Sequence, residues 1–212
     1  SFTPLFGTSL PDLFAVRADA AEVVDLLEFE YDNNEMTAMI TDCDESISGD
    51  VVIPSEVNGY TVTDINERAF SNCKSITSVT IPESIIYIGD SAFDNCENMN
   101  VINLPDTDIQ ISSNAFIETA YHNTLENWEN CVLYIGKHLI CAYSSDVFED
   151  FVFETMGYFM PDYEIREGTI TVSENAFKDC FELESVRIPA SVKLIPDRAF
   201  DGCSALGKFE VD

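Results

Sequence analysis

SITSVTIPESIIYIGDSAFDNCENMNVINLPDTDIQISSNAFIETA, Ser75–Ala120, writes one pattern twice. Ala-Phe pairs end at Phe70, Phe93, Phe116, Phe177 and Phe200, at intervals of 23, 23, 61 and 23 residues. Other columns keep the same step. Cys73, Cys96, Cys180 and Cys203 each follow a Phe by three, and Ile81, Leu104 and Ile188 each follow a Phe by eleven and precede a Pro. Three further apolar columns run with them: Ile65, Ile88, Ile111, Val172 and Ile195; Ile76, Met99, Leu183 and Leu206; Val79, Ile102, Val186 and Phe209. A fixed period of this length is the mark of a stacked repeat architecture.

The unit has a physical reading. Val79-Thr80-Ile81, Val186-Arg187-Ile188 and Phe209-Glu210-Val211 alternate with period two, so each unit carries a short strand with one buried face. Pro82, Pro105 and Pro189 lack an N–H and end the ladder where the chain turns away. The Ala before each Phe allows close packing of the returning segment, and the Phe fills the interior. A single coil cannot bury such a core, whereas stacked coils can. The reading is an α/β-type, strand-rich repeat solenoid with one short parallel strand per coil.

The units ITSVTIPESIIYIGDSAFDNC (76–96) and LESVRIPASVKLIPDRAFDGC (183–203) resemble the BspA-type leucine-rich repeats of bacterial surface proteins. The resemblance extends to GDVVIPSEVNGYTVTDINERAF (49–70), similar to the family's opening coil, and to NWENCVLYIGKHLICAY (127–143), similar to a hairpin that interrupts such arrays. It covers residues 31–212. It implies a curved, right-handed leucine-rich repeat solenoid and an exposed ligand-binding or adhesive role, and it brings no catalytic residues.

Organisation follows. Residues 1–20 read as the remnant of an export signal, as an engineered leader, or as a packed helix; Ala18-Asp19-Ala20 favours the first. Residues 21–61 form an N-terminal cap, needed because a solenoid end exposes strand edges. In it LEFEYDN alternates as a strand, Asp32-Asn33-Asn34 turns, EMTAMITDC returns antiparallel, and Asn58-Gly59 marks another turn. Repeats occupy 62–116 and 169–212, separated by an aromatic-rich insertion, 117–168. Its Trp128, Tyr121, Tyr134, Tyr143, Phe148, Phe151, Phe153, Tyr158, Phe159 and Tyr163 form either a small core of their own or a binding platform. The array stops at GKFEVD without a capping pattern, which predicts a piece of a longer chain.

The chain holds 39 acidic and 10 basic residues, a formal charge of −29, so nucleic acid and anionic membranes are unfavourable partners. No run of eighteen apolar residues is present, and direct membrane insertion is not expected. The four column cysteines are expected to be buried, unpaired thiols that resist alkylation while Cys43 labels faster, although ~4.8 Å between coils does not by itself forbid pairing. A two-residue Gly136-Lys137 turn would set Cys131 opposite Ala142 rather than opposite Cys141.

Chemistry finds little support. His122 and His138 are the only histidines, and neither sits in a nucleophile–base motif. TDCDESISGD, Thr41–Asp50, puts Ile47 where an EF-hand needs Gly. No enzyme activity, cofactor or metal is expected. Function is instead expected on the strand face, where Ser78, Thr80, Val101, Asn103, Ser185, Arg187, Lys208 and Glu210 alternate with the buried columns as a neutral-to-polar row on an acidic molecule. The expected role is extracellular or cell-surface binding of a host or neighbouring-cell protein or glycan. The competing role is a structural or accessory module of a larger secreted enzyme.

Overall fold

The computed structural model describes residues 23–143 and 161–212. The cap opens with strands β1 (Leu27–Asp32) and β2 (Thr37–Cys43), an antiparallel hairpin. Asp32 closes its turn by accepting hydrogen bonds from the N–H groups of Asn34 (2.7 Å) and Glu35 (3.3 Å). Next come β3 (Gly49–Val52), β4 (Glu56–Val57) and β5 (Tyr60–Ile65). The β4–β5 turn is Asn58-Gly59, with φ of 52° and 84°, as a two-residue hairpin requires.

The repeats then supply β6 (Ile76–Thr80), β7 (Tyr87–Ile88), β8 (Val101–Asn103) and β9 (Gln110–Ile111). The strand expected from period-two alternation forms the parallel ladder β3-β6-β8, in register Val51↔Val79↔Ile102. The structure adds a second parallel ladder, β2-β5-β7-β9, in which Ile40, Ile65, Ile88 and Ile111 align. These strands are two residues long in the regular coils, too short for alternation to reveal them.

Between the ladders each coil turns through the Ala-Phe pair. Phe70, Phe93 and Phe116 stack at ring-centroid distances of 4.8 and 5.4 Å, and Phe177 stacks on Phe200 at 5.0 Å. A column not marked by hydrophobicity sits two residues beyond each Phe: Asn72, Asn95, Glu118, Asp179 and Gly202 all have φ between 57° and 78°. Asn, Asp and Gly tolerate that left-handed conformation best. Asn95 also donates to the Asn72 side chain at 2.7 Å.

The interruption begins at Thr119, which stands where other coils carry Cys. Its hydroxyl donates to Phe116 O (2.8 Å) and accepts from His122 N (3.1 Å), capping the short helix α1 (Ala120–Asn123) and leading the chain out of the array. After one 3-10 turn (Leu125–Asn127), β10 (Trp128–Glu129), β11 (Val132–Ile135) and β12 (His138–Ala142) form an antiparallel meander. Trp128 is buried, stacked on Tyr143 at 5.0 Å, with its indole N–H on His122 O at 2.7 Å. Trp128, Tyr134 and Tyr163 are therefore core; Phe148, Phe151, Phe153, Tyr158 and Phe159 lie outside the described residues.

The Gly136-Lys137 turn forms, but the expected Cys131–Ala142 register does not. A bulge after Leu133 pairs Val132 with Ala142 and Leu133 with Cys141. Strand β12 then pairs in parallel with β14 (Thr171–Val172), and Ala142 N donates to Ala176 O at 2.6 Å, as Phe70, Phe93 and Phe177 donate to the next Ala. The hairpin thus takes a coil's place beside Thr171–Val172 and Ala176, while Glu174 pairs directly with Ser112 of coil three. Before β14, β13 (Asp162–Glu164) pairs with β15 (Ser185–Ile188), which pairs with β16 (Lys208–Val211), restoring the first ladder's register at Tyr163↔Val186↔Phe209. Coil four's outer strand therefore lies ahead of residue 169. In the last coil Ile195, Phe209 and Val211 are exposed, because no described coil covers them.

Candidate binding face

Ladder pairing aligns the expected row in two halves. Ser78 faces Val101 and Thr80 faces Asn103; Ser185 faces Lys208 and Arg187 faces Glu210. The halves belong to separate three-stranded sheets, so the eight residues are not one continuous strip. Each half is extended by a strand that the sequence reading left out: Asp50 and Val52 precede Ser78 and Thr80, while Asp162 and Glu164 precede Ser185 and Arg187. The row is correspondingly more acidic than neutral-to-polar.

Most of its polar groups already have partners. Ser78 donates to Asp50 at 2.7 Å and Asn103 to Thr80 at 3.2 Å. Ser185 donates to Asp162 at 2.5 Å. Arg187 reaches Asp212 at 2.8 Å and Glu164 at 3.5 Å, and Lys208 pairs with Glu210. The hydrogen bond to Asp212 is the main reason that Arg187 holds its proton more tightly, and the bond to Glu210 does the same for Lys208. Between these side chains lies a shallow depression of about 330 Å³ lined by Asp162, Glu164, Ser185, Arg187, Lys208 and Glu210. Exposed pairs of this kind add little stability and exchange readily for partner contacts.

Both histidines are structural. His138 is fully buried: its Nε2 donates to Pro105 O at 2.8 Å, which leaves Nδ1 to accept from Thr171 Oγ1 at 2.8 Å. Neutral imidazole meets both needs, and burial lowers the His138 pKa. This ring ties coil three to the hairpin and coil four. His122 bonds Asn123 and Tyr143 and packs edge-on against Trp128. Among the described residues no cluster of three His, Cys, Asp or Glu could hold a metal ion. In the acidic turn, Asp44 accepts from Ser46 N at 2.8 Å, and the Ser46 hydrogen bonds lower its pKa.

The cysteine column requires one correction. Cys96 and Cys203 donate to the Phe carbonyl of the preceding coil, Phe70 O at 3.1 Å and Phe177 O at 3.0 Å, and Cys180 points at Ala142 O, 3.8 Å away. Cys73 has no preceding Phe. It is disulfide-bonded to Cys43 of the cap instead, so neither cysteine is an unpaired thiol. The five others remain thiols, and desolvation pushes Cys96 and Cys180 up to about 12. At neutral pH both should alkylate orders of magnitude more slowly than after unfolding. Native labelling of Cys96 at the rate of the unfolded chain would contradict this burial.

A profile of the BspA type leucine rich repeat region matches residues 50–142 and 137–212, in six copies. No curated protein sequence matches. Among solved structures, a T. pallidum leucine-rich repeat protein is 23% identical, with a TM-score of 0.45, over 87% of this chain and 68% of the other. A leucine-rich cell surface protein of Faecalibacterium prausnitzii is 24% identical, TM-score 0.41, over 89% of this chain and 38% of that one. A leucine-rich repeat protein of Bacteroides capillosus is 24% identical, TM-score 0.37, over 88% and 94%. With its 23-residue period, two parallel ladders and stacked Phe column, the chain belongs to the BspA-type leucine-rich repeat family.

Proposed function

We propose that this is a non-enzymatic, extracellular repeat domain of a bacterial surface protein that binds a host or neighbouring-cell protein through the β13-β15-β16 face. The observation that carries the reading is the depression in which Asp162, Glu164, Arg187, Lys208 and Glu210 stand exposed on one rigid parallel ladder. Side chains at fixed strand spacing suit an extended macromolecular surface better than a small substrate. A net charge of −29 favours a basic partner and fast, salt-sensitive association. The Cys43–Cys73 disulfide supports an oxidising compartment, and no helix among the described residues is long and apolar enough to cross a membrane.

The test is binding to arrayed host extracellular proteins, followed by the variant Arg187→Ala/Lys208→Ala, with Thr80→Ala/Asn103→Ala on the separate β6-β8 sheet as the control. Loss of about tenfold or more in affinity, with an unchanged melting temperature, is expected. Wild-type affinity in Arg187→Ala/Lys208→Ala would remove the face from consideration.

A further inference from the structure

The second ladder carries a groove that the protein-binding reading does not use. It has a volume of about 540 Å³ and runs across four successive coils, from Tyr87 in coil two through Gln110 and Glu174 to Asp197 and Arg198 in the last. Three ladder steps of ~4.8 Å make it about 15 Å long. It lies at the seam where coil four comes directly onto coil three, through Glu174 N to Ile111 O at 2.9 Å and Ser113 N to Glu174 O at 3.0 Å. Ile195 and Pro196 give it an apolar side.

Its polar groups differ from those of the row. The Tyr87 hydroxyl, the Gln110 amide, the Glu174 and Asp197 carboxylates and the Arg198 guanidinium make no hydrogen bond or ion pair with another described residue. On the row nearly every such group is already paired. Five open, solvent-facing polar groups beside an aromatic ring suit a ligand that both donates and accepts. Partial burial and then the nearby Glu174, Asp90, Glu67 and Asp64 keep the Tyr87 phenol protonated, so it remains a donor. The carboxylates disfavour an anion, and Arg198 in the same wall disfavours a cation. Acidity by itself cannot mark the site, because the whole surface is acidic.

We propose that this groove binds a neutral oligosaccharide, three or so sugar units long, with one ring against Tyr87 and its hydroxyls bonded to Gln110, Glu174 and Arg198. Sugar hydroxyls match both donors and acceptors, and a ring's apolar face suits a tyrosine.

The experiment is a printed array of neutral oligosaccharides (glucans, mannans, galactans, xylans) probed with the full chain, followed by calorimetric titration of the best binder. Expected is at least one neutral hit whose affinity hardly changes with added NaCl. It should fall about tenfold in Tyr87→Ala and in Glu174→Ala, since each leaves a sugar group without its partner. Gln110→Ala, an exposed change, serves if Tyr87→Ala folds poorly. The Arg187→Ala/Lys208→Ala variant should bind as wild type does, which separates this site from the protein-binding face. Retention of no neutral glycan, equal binding by all groove variants, or binding only to anionic glycans or lysine-rich peptides that salt abolishes would each overturn the proposal.

Discussion

Phe93→Ala should destabilise the protein by about 3 to 5 kcal/mol. Its ring is fully buried and nearly parallel to both neighbours, 10° from Phe70 and 12° from Phe116. Removal opens a cavity that neither neighbour can close, because each ring is held by its own coil and Phe70 is also tied through its N–H to Ala92 O at 2.7 Å. Against a total of about 5 to 15 kcal/mol for a domain, the loss is large. Urea denaturation measures it. Phe200→Ala is the internal control: Phe200 stacks on Phe177 on one side only and is partly exposed, so its loss should be less than half as great. Equal costs at the two positions would mean that stacking depth does not govern this core.

The second large effect belongs to the cap. The Cys43–Cys73 disulfide closes a loop across a sequence separation of 30, which corresponds to about 3 to 4 kcal/mol of chain entropy removed from the unfolded state. Cys43→Ala/Cys73→Ala should lose that amount, and the loss should appear first as exposure of the cap strands to hydrogen exchange. Mass spectrometry checks the bond directly. Alkylation in denaturant without reductant should add five groups, and with reductant seven, given five thiols and one disulfide. Seven groups without reductant would show that the bond is absent. Reduction of the wild type should reproduce the double variant's melting temperature.

The solenoid was legible because its columns are hydrophobic and evenly spaced: Phe marks five coils, Cys four of them and the apolar-Pro pair three, each independently. The second ladder was not, since a two-residue strand such as Gln110–Ile111 has no room for alternation. Nor was the pairing of Cys73. Column identity suggested a thiol like the other three, but the first coil lacks an upstream Phe carbonyl, and what lies before it is the cap. The left-handed column at Asn72, Asn95, Glu118, Asp179 and Gly202 was present in the sequence as an Asn/Asp/Gly preference, and only Glu118 hides it. Of the candidate face, the alignment of Ser185 with Lys208 and Arg187 with Glu210 follows from the repeat register. The acidic strand Asp162–Glu164 was missed because it falls in the 61-residue interval, where the Phe spacing no longer guides the eye.

Strand β12 shows how little a coil must provide to its neighbours. It lacks the Phe and the Pro of the repeat, and its Cys141 stands outside the cysteine column, yet Ala142 offers its carbonyl to Cys180 and its N–H to Ala176, and Leu139 pairs with Val172. The neighbours register a carbonyl, an amide and an extended pair, not a consensus. A gene of this kind can therefore accept foreign sequence between units: the outer ladder divides into two sheets there, while the second ladder carries on through β12 and Glu174. New loops could be grafted at the Gly136-Lys137 tip by the same logic, with the array serving as an indifferent frame.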